Sequence, residues 1–474
     1  MEGLEATEKQ FSGLERTWRL DAEFFQQKHV RLAQQLEGLS WEPVATLANV
    51  SDGNHFSIAE SFVEEGVPYY RVQDVTGHFF IEQAAPYSIT REAFERPFMV
   101  RSHLQHGDVL LSIVGTVGET SLVKTDSDAT CSCKLAILRP SSIAPEYLAA
   151  YLSSRLGKLL TERWKRGAVQ MGLLLEDMDQ IPVARFSVKL EESVVRLVNR
   201  AFSALEDAQR LSGDAEQVLL GRLGLDAWTP PEALSYVRSS REAFAAGRLD
   251  AEHFQEKFSA ARKALCTAGA KRFIPLPELL VSLTNGHTPL RHDLSVGEVP
   301  FLCAEHVADF HLTFESEKRI LQEHHENELA RTAVRDGDVL LTIKGRIGNA
   351  VIAENVPGNV NINQDVALLR FSDALPIWYI VAYLNSRFGK LQSEKMATGA
   401  INPFLGLFSI RQFEVPEFSQ EVMTDIALRT QQHVTAARRA KQHATRLLEA
   451  AKRAVEIAIE DSEAAALAFL ESVA

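Results

Sequence analysis

Apolar residues in this chain fall into three kinds of run, each predicting a different element. Short continuous runs such as Tyr69-Tyr70-Arg71-Val72 and Val109-Leu110-Leu111-Ser112-Ile113-Val114 sit between Gly, Pro and Asp punctuation and predict buried strands. These runs and their counterparts fill two β-rich stretches, roughly 41–140 and 274–370. Two segments that begin at a proline, Pro145 to about Lys165 and Pro376 to about Met396, predict helices, because proline is favoured in a first turn. A turn and a strand follow each: Arg166-Gly167-Ala168-Val169 to Ile181-Pro182-Val183, and Thr398-Gly399-Ala400-Ile401 to Val415-Pro416. The third pattern keeps apolar residues three and four apart. Val194, Val198, Ala201, Leu205, Ala208, Ser212, Ala215 and Leu219 form one such series. Ala427, Thr430, Val434, Ala437, Lys441, Ala444, Leu448, Ala451, Val455 and Ala458 form the other. This is the seam of a coiled coil, and its many alanines would let two helices approach closely. Lys441 breaks the pattern, and Ser212-Gly213 is a soft spot in the first helix.

The order of elements occurs twice, about 230 residues apart. Arg19-Leu20-Asp21-Ala22-Glu23-Phe24-Phe25, a short helical lead-in, returns as Arg248-Leu249-Asp250-Ala251-Glu252-His253-Phe254. Gly107-Asp108-Val109-Leu110-Leu111-Ser112-Ile113 returns as Gly337-Asp338-Val339-Leu340-Leu341-Thr342-Ile343, and the match runs on through Gly115-x-x-Gly118 and Gly345-x-x-Gly348. Tyr151-Leu152-Ser153-Ser154-Arg155-Leu156-Gly157-Lys158-Leu159 returns as Tyr383-Leu384-Asn385-Ser386-Arg387-Phe388-Gly389-Lys390-Leu391. The expected fold is α+β, two tandem-duplicated globular α/β domains separated by two long helices in an antiparallel coiled coil, with pseudo-two-fold symmetry. Such an object suits a partner that is itself two-fold, of which duplex DNA is the commonest. Helices of roughly 30–40 residues span on the order of 45–60 Å at 1.5 Å per residue. That exceeds one turn of B-DNA, about 34–36 Å, so the helices read as a spacer.

Composition narrows the classes. The chain has 474 residues, 46% of them hydrophobic, enough for two ordinary cores. No run approaches the 18 apolar residues of a membrane span, so no membrane association is expected. The acidic start, Met1-Glu2-Gly3-Leu4-Glu5, lacks the apolar core of a secretory signal. Four cysteines, with only Cys131 and Cys133 close in sequence and Cys266 and Cys303 isolated, fit a reducing cytoplasm and no metal site. The net charge of −13 argues against a simple nucleic-acid coat protein and for a subunit whose partners share the phosphate contacts.

Taken together, these motifs resemble the specificity subunit (S subunit, HsdS family) of type I restriction–modification systems. The likeness rests on Gly-Asp-Val-Leu-Leu-Ser/Thr-Ile with its Gly-x-x-Gly, the Tyr-Leu-x-Ser block, Ile362-Asn363-Gln364-Asp365-Val366-Ala367-Leu368, Thr398-Gly399-Ala400-Ile401-Asn402, Phe413-Glu414-Val415-Pro416 and the early turn Asn285-Gly286-His287-Thr288-Pro289. The first half departs from the pattern with Asp52-Gly53-Asn54-His55 and Cys131-Ser132-Cys133-Lys134-Leu135. The resemblance implies a lead-in helix and first target-recognition domain over 1–188, a central helix over 189–225, a linker over 226–248, a second recognition domain over 249–417 and a C-terminal helix and tail over 418–474. It implies a non-catalytic protein that reads a bipartite, gapped sequence in double-stranded DNA and docks modification methyltransferase subunits, with a restriction/translocase subunit able to join. No cofactor is expected on this chain; S-adenosylmethionine, ATP and Mg belong on the partner subunits. The alternatives are a similar subunit of another methyltransferase-linked phage-defence complex and a protein-assembly scaffold without DNA.

The residues themselves offer no catalytic site. Neither glycine loop ends in the Gly-Lys-Ser/Thr of a phosphate-binding loop. Asn402-Pro403-Phe404 lacks the second proline of an adenine-methyltransferase motif, and the Asp/Glu-x-Lys of a common nuclease core occurs nowhere. His324-His325, between Glu323 and Glu326, points successive side chains apart and reads as surface charge. Candidate DNA contacts are Lys344 and Arg346 on the second glycine loop, Arg163, Lys165 and Arg166 before the first Gly-Ala turn, Lys395 before the second, and Arg71, Gln73 and Lys134 in the first β-rich stretch.

Overall fold

A computed structural model describes residues 7–8, 19–84, 86–167, 171–233, 235–289, 293–399 and 402–473. The fold is α+β. By contacts the chain divides into two compact units, residues 1–205 with 441–474, and residues 206–440. The acidic start and the residues Ala168, Val169, Ala400 and Ile401 of the two Gly-Ala turns lie outside the described residues.

In unit 1 the strand after Gly107-Asp108, Val109–Ser112, is inner in an antiparallel sheet ordered Ala48–Asp52, Leu135–Pro140, Val109–Ser112, Thr120–Leu122. Period-two geometry sends Val109 and Leu111 into the large core beneath the helices, while Leu110 enters a smaller core with Ile137 and Val123. Burial on both faces is why the run is continuously apolar rather than alternating. The smaller core is closed by a second sheet, in which Val67–Tyr70 runs parallel to Thr130–Cys131. Unit 2 repeats the plan with Leu280–Asn285, Val366–Phe371, Val339–Thr342 and Ala350–Ile352, and with Val299–Leu302 parallel to Asn361–Ile362.

The Gly-Asp step has a structural explanation. Asp108 is fully buried, accepts the Gln105 backbone N–H at 2.8 Å and takes the Arg139 guanidinium on both oxygens at 2.8 Å. Asp338 does the same with Arg335 N–H and Arg370. Each pair ties the start of the inner strand to its neighbour.

The expected helices after Pro145 and Pro376 are each two helices. Ser154 and Ser386 adopt extended backbone, end Pro145–Ser153 and Ile377–Asn385, and cap Arg155–Arg163 and Arg387–Met396 by accepting from Gly157 and Gly389 N–H. A Cβ on Gly157 or Gly389 would collide with the Tyr151 or Tyr383 carbonyl oxygen, so the repeated Ser-Arg-x-Gly sets a close helix-to-helix corner. Tyr147 and Tyr151 donate to the Ala184 and Pro182 carbonyls, fastening the helix to the closing strand.

Two helices are long, Val188–Leu223 and Gln420–Glu460, and Ser212-Gly213 interrupts neither the first helix nor its hydrogen-bonding. Val194, Val198 and Ala201 share the unit 1 core with Ala444, Leu448, Ala451 and Val455; Ala215 and Leu219 share the unit 2 core with Ala427 and Val434. Of the seam positions, Ser212 and Lys441 are exposed. The stretch expected as linker contains a helix, Ser240–Ala246, started by a Ser239/Glu242 capping box. Among the described residues no helix is long and apolar enough to cross a membrane. Asp108→Ala is expected to lower unfolding free energy by about 2–3 kcal/mol, because it strands a buried N–H and removes both bonds of the Arg139 fork; urea denaturation checks this, and a shift below about 0.5 kcal/mol would contradict the assigned role.

Candidate nucleic-acid interface

Each inner strand ends in a loop built to hold its shape. Gly115, Gly118, Gly345 and Gly348 all have φ between +74° and +97°. The strand's last hydroxyl clamps the loop from inside: Ser112 Oγ donates to the Thr116 carbonyl and accepts from Glu119 N–H at 2.9 Å. Thr342 Oγ1 donates to the Arg346 carbonyl at 2.5 Å and accepts from Asn349 N–H at 2.9 Å. The lysine of the Tyr-Leu-x-Ser block supports it from below. Lys158 pairs with Glu119 at 2.7 Å, and Lys390 reaches the Gly348 carbonyl at 3.0 Å and Asn349 at 2.6 Å.

Two further segments meet this loop in each unit, and a third packs against one of those two. Val114 bridges to Gly172, which pairs with Arg166; Lys344 bridges to Phe404, which pairs with Thr398. Ile113 N–H donates to the Lys134 carbonyl and Ile343 N–H to the Asp365 carbonyl, both at 2.9 Å. The early turns complete the group, since a Cβ at Gly53 or Gly286 would run into the Ser132 or Ile362 carbonyl oxygen. Motifs far apart in sequence therefore converge at one end of each four-stranded sheet.

Unit 2 presents Lys344, exposed and 3.8 Å from Asp365, and exposed Arg346, with Thr288 Oγ1 donating to Gln364 at 2.7 Å beside them. Unit 1 has Val114 and Thr116 at the matching positions and carries its polar groups elsewhere: exposed Lys134, and a buried Asp52 that holds both Arg101 and His55. Arg101 and His55 are 56% and 55% exposed at the side chain, while one nitrogen of each is turned onto Asp52. Sequence reasoning missed Arg101, which stands 49 residues from its partner. Arg71 lies 3.8 Å over the Tyr87 ring and 3.5 Å from Asp74, beside exposed Gln73, at a strand end whose Tyr70 carbonyl accepts from Ser132 N–H.

The cations before the Gly-Ala turns are placed differently from the expectation. Arg163 is 5% exposed, stacked 4.0 Å over the Phe24 ring, with Nε donating to the Phe24 carbonyl. It anchors the lead-in and is not placed to meet phosphate. Lys395, its counterpart in the repeat, is half-buried; burial lowers its pKa, and its carbonyl accepts from His253 Nδ1 at 3.0 Å. Lys165 is half-buried, and exposed Arg166 pairs with Asp177 at 2.5 Å.

The adjacent histidines read as surface charge resolve into local bonds, and His325 is not at the surface. His324 pairs with Glu328 at 2.5 Å, and buried His325 meets Asn361 Nδ2 at 3.1 Å. Cys303, taken from sequence as isolated, lies with Glu305 and His306 so that their ligand atoms fall within 4.8 Å of one another. Lys318 Nζ stands 3.5 Å from Cys303 Sγ and 2.9 Å from Glu305, and would compete with any cation there. His306 Nδ1 accepts the Cys303 N–H at 3.0 Å, while burial raises the thiol pKa and lowers the imidazole pKa.

No family model and no curated protein matches the chain. Solved structures similar to it include a type I restriction–modification system S subunit from M. genitalium, at 12% identity over 92% of this chain and 96% of that chain, with a TM-score of 0.41. A structure describing complex assembly and conformational transition of the type I R-M system shows 17% identity over 89% and 98%, with a TM-score of 0.32. The HsdS subunit from Thermoanaerobacter tengcongensis shows 16% identity over 90% and 97%, with a TM-score of 0.28.

If the loop cluster meets a polyanion, Lys344→Ala and Arg346→Ala should each reduce the log–log salt slope of DNA binding by about 1. Arg163→Ala should leave the slope unchanged and cost about 1–2 kcal/mol of stability. Titrations of the assembled complex across salt concentrations check both, and a slope change in Arg163→Ala alone would reverse the assignment.

Proposed function

We propose that this chain is the DNA sequence-specificity subunit of a type I restriction–modification complex, non-catalytic itself. Each unit's loop cluster reads one half of a gapped, two-part target. The observation that carries this reading is the duplicated loop cluster: the same backbone clamps in both units, carrying different side chains. A shared scaffold with Lys344 and Arg346 on one copy and Val114 and Thr116 on the other suits two different half-sites. Donors such as Arg101, Lys134, Lys344 and Arg346 are of the kind that address phosphate and guanine edges. The long helices, as an antiparallel coiled-coil spacer, set the gap between the halves.

Under this reading a net charge of −13 is tolerable because partners contribute phosphate contacts. The partners are modification methyltransferase subunits, which carry S-adenosylmethionine and transfer its methyl group to adenine, and a restriction/translocase subunit, which carries ATP and Mg. Domain limits near 188, 225, 248 and 417 belong to the same proposal.

Single-molecule methylation sequencing of cells with and without this gene tests it. The expected result is loss of adenine methylation at one gapped, two-part sequence. Unchanged methylation would contradict the proposal and favour a similar subunit of another phage-defence complex or a protein-assembly scaffold.

A further inference from the structure

The duplicated lead-in has a feature that the specificity reading leaves unused. Arg19 makes a two-pronged bond to Asp21, Nε to Oδ2 at 2.8 Å and a terminal nitrogen to Oδ1 at 2.6 Å. The same terminal nitrogen donates to the Lys165 carbonyl at 2.8 Å, across 146 residues of chain. Arg248 repeats this, with bonds of 2.8 and 2.5 Å to Asp250 and one of 3.1 Å to the Ala397 carbonyl, across 149 residues. The two carbonyls occupy the same place in the repeat, immediately before Arg166-Gly167 and Thr398-Gly399.

The geometry points to Arg19 and Arg248 as positioning residues, each locking the neck of one recognition loop so that the base preference of one half-site depends on it; this rests on the function proposed above. A guanidinium is planar, so two bonds to one carboxylate fix its plane and leave a remaining N–H aimed in one direction. Here that direction holds the last carbonyl before the loop. Past it the neck closes through paired backbone bonds, Arg166 with Gly172 at 2.8 Å each way and Thr398 with Phe404 at 2.9 and 2.8 Å. The far side of each neck then bridges to Val114 or Lys344 on the glycine loop. The lead-in arginine is thus linked to the glycine loop through the loop neck. Hydrogen bonds to base edges hold within a window of about half an ångström, so a shifted neck would cost base discrimination before it cost the fold.

The test uses the complete complex with its methyltransferase subunits and duplex libraries randomised at both half-sites. Arg248→Ala should cut discrimination about tenfold or more at one or more positions of a single half-site, leaving the other half-site within about twofold. Arg19→Ala should do the same at the opposite half-site. Arg248→Lys, which keeps the charge and N–H donors without the planar fork, should fall between. If Arg248→Ala fails to assemble, Arg248→Lys and Asp250→Asn decide by the same readout. A folded variant that methylates more slowly with both base preferences unchanged would mark the tether as merely structural and overturn the proposal. A wild-type complex with no preference for any two-part sequence would overturn the specificity reading, and this proposal with it, before any substitution is made.

Discussion

The inner strand of each sheet is buried on both faces, and the loop end of each unit hangs from that constraint. Val109 and Leu111 face one core and Leu110 another, as Val339, Leu341 and Leu340 do in the repeat. A one-residue slip would move each set into the wrong core, so register is fixed. Asp108 and Asp338 pin the strand's start through an arginine of the neighbouring strand, and Ser112 and Thr342 clamp the loop at its end. The glycine loop is therefore delivered at a defined place, whatever side chains it carries.

That separation of scaffold from display lets one plan carry two different sets of outward side chains. The clamping groups are equivalent in both units: a buried aspartate, a hydroxyl, a capping serine, a close-packed glycine and a supporting lysine. The outward-facing groups are not. Unit 2 places its cations on the glycine loop itself, at Lys344 and Arg346. Unit 1 places Arg101 and His55 on the buried Asp52, where unit 2 has Asn285 at the matching early turn.

Much of this was legible in the sequence, and the losses have physical reasons. Continuous apolar runs announced the buried strands, and three-four spacing announced the long helices, because burial patterns follow backbone period. The breaks at Ser154 and Ser386 were hidden, since one extended residue between two helices leaves the apolar spacing nearly unchanged. Arg163 and Lys395 read as candidate DNA contacts because most arginines and lysines are exposed; only the fold shows the Phe24 ring beneath one and the His253 bond to the other. The Arg101–Asp52 pair and the lead-in tethers join residues tens to hundreds of positions apart, which no local pattern records.

The central claim, that two similar units read two halves independently, is tested most directly by exchanging residues 41–187 for the corresponding segment of a similar protein with a different target and sequencing the methylated sites. The account predicts that one half of the recognised sequence changes while the other half and the gap stay as they were. An unaltered target, or a simultaneous change in both halves, would contradict it.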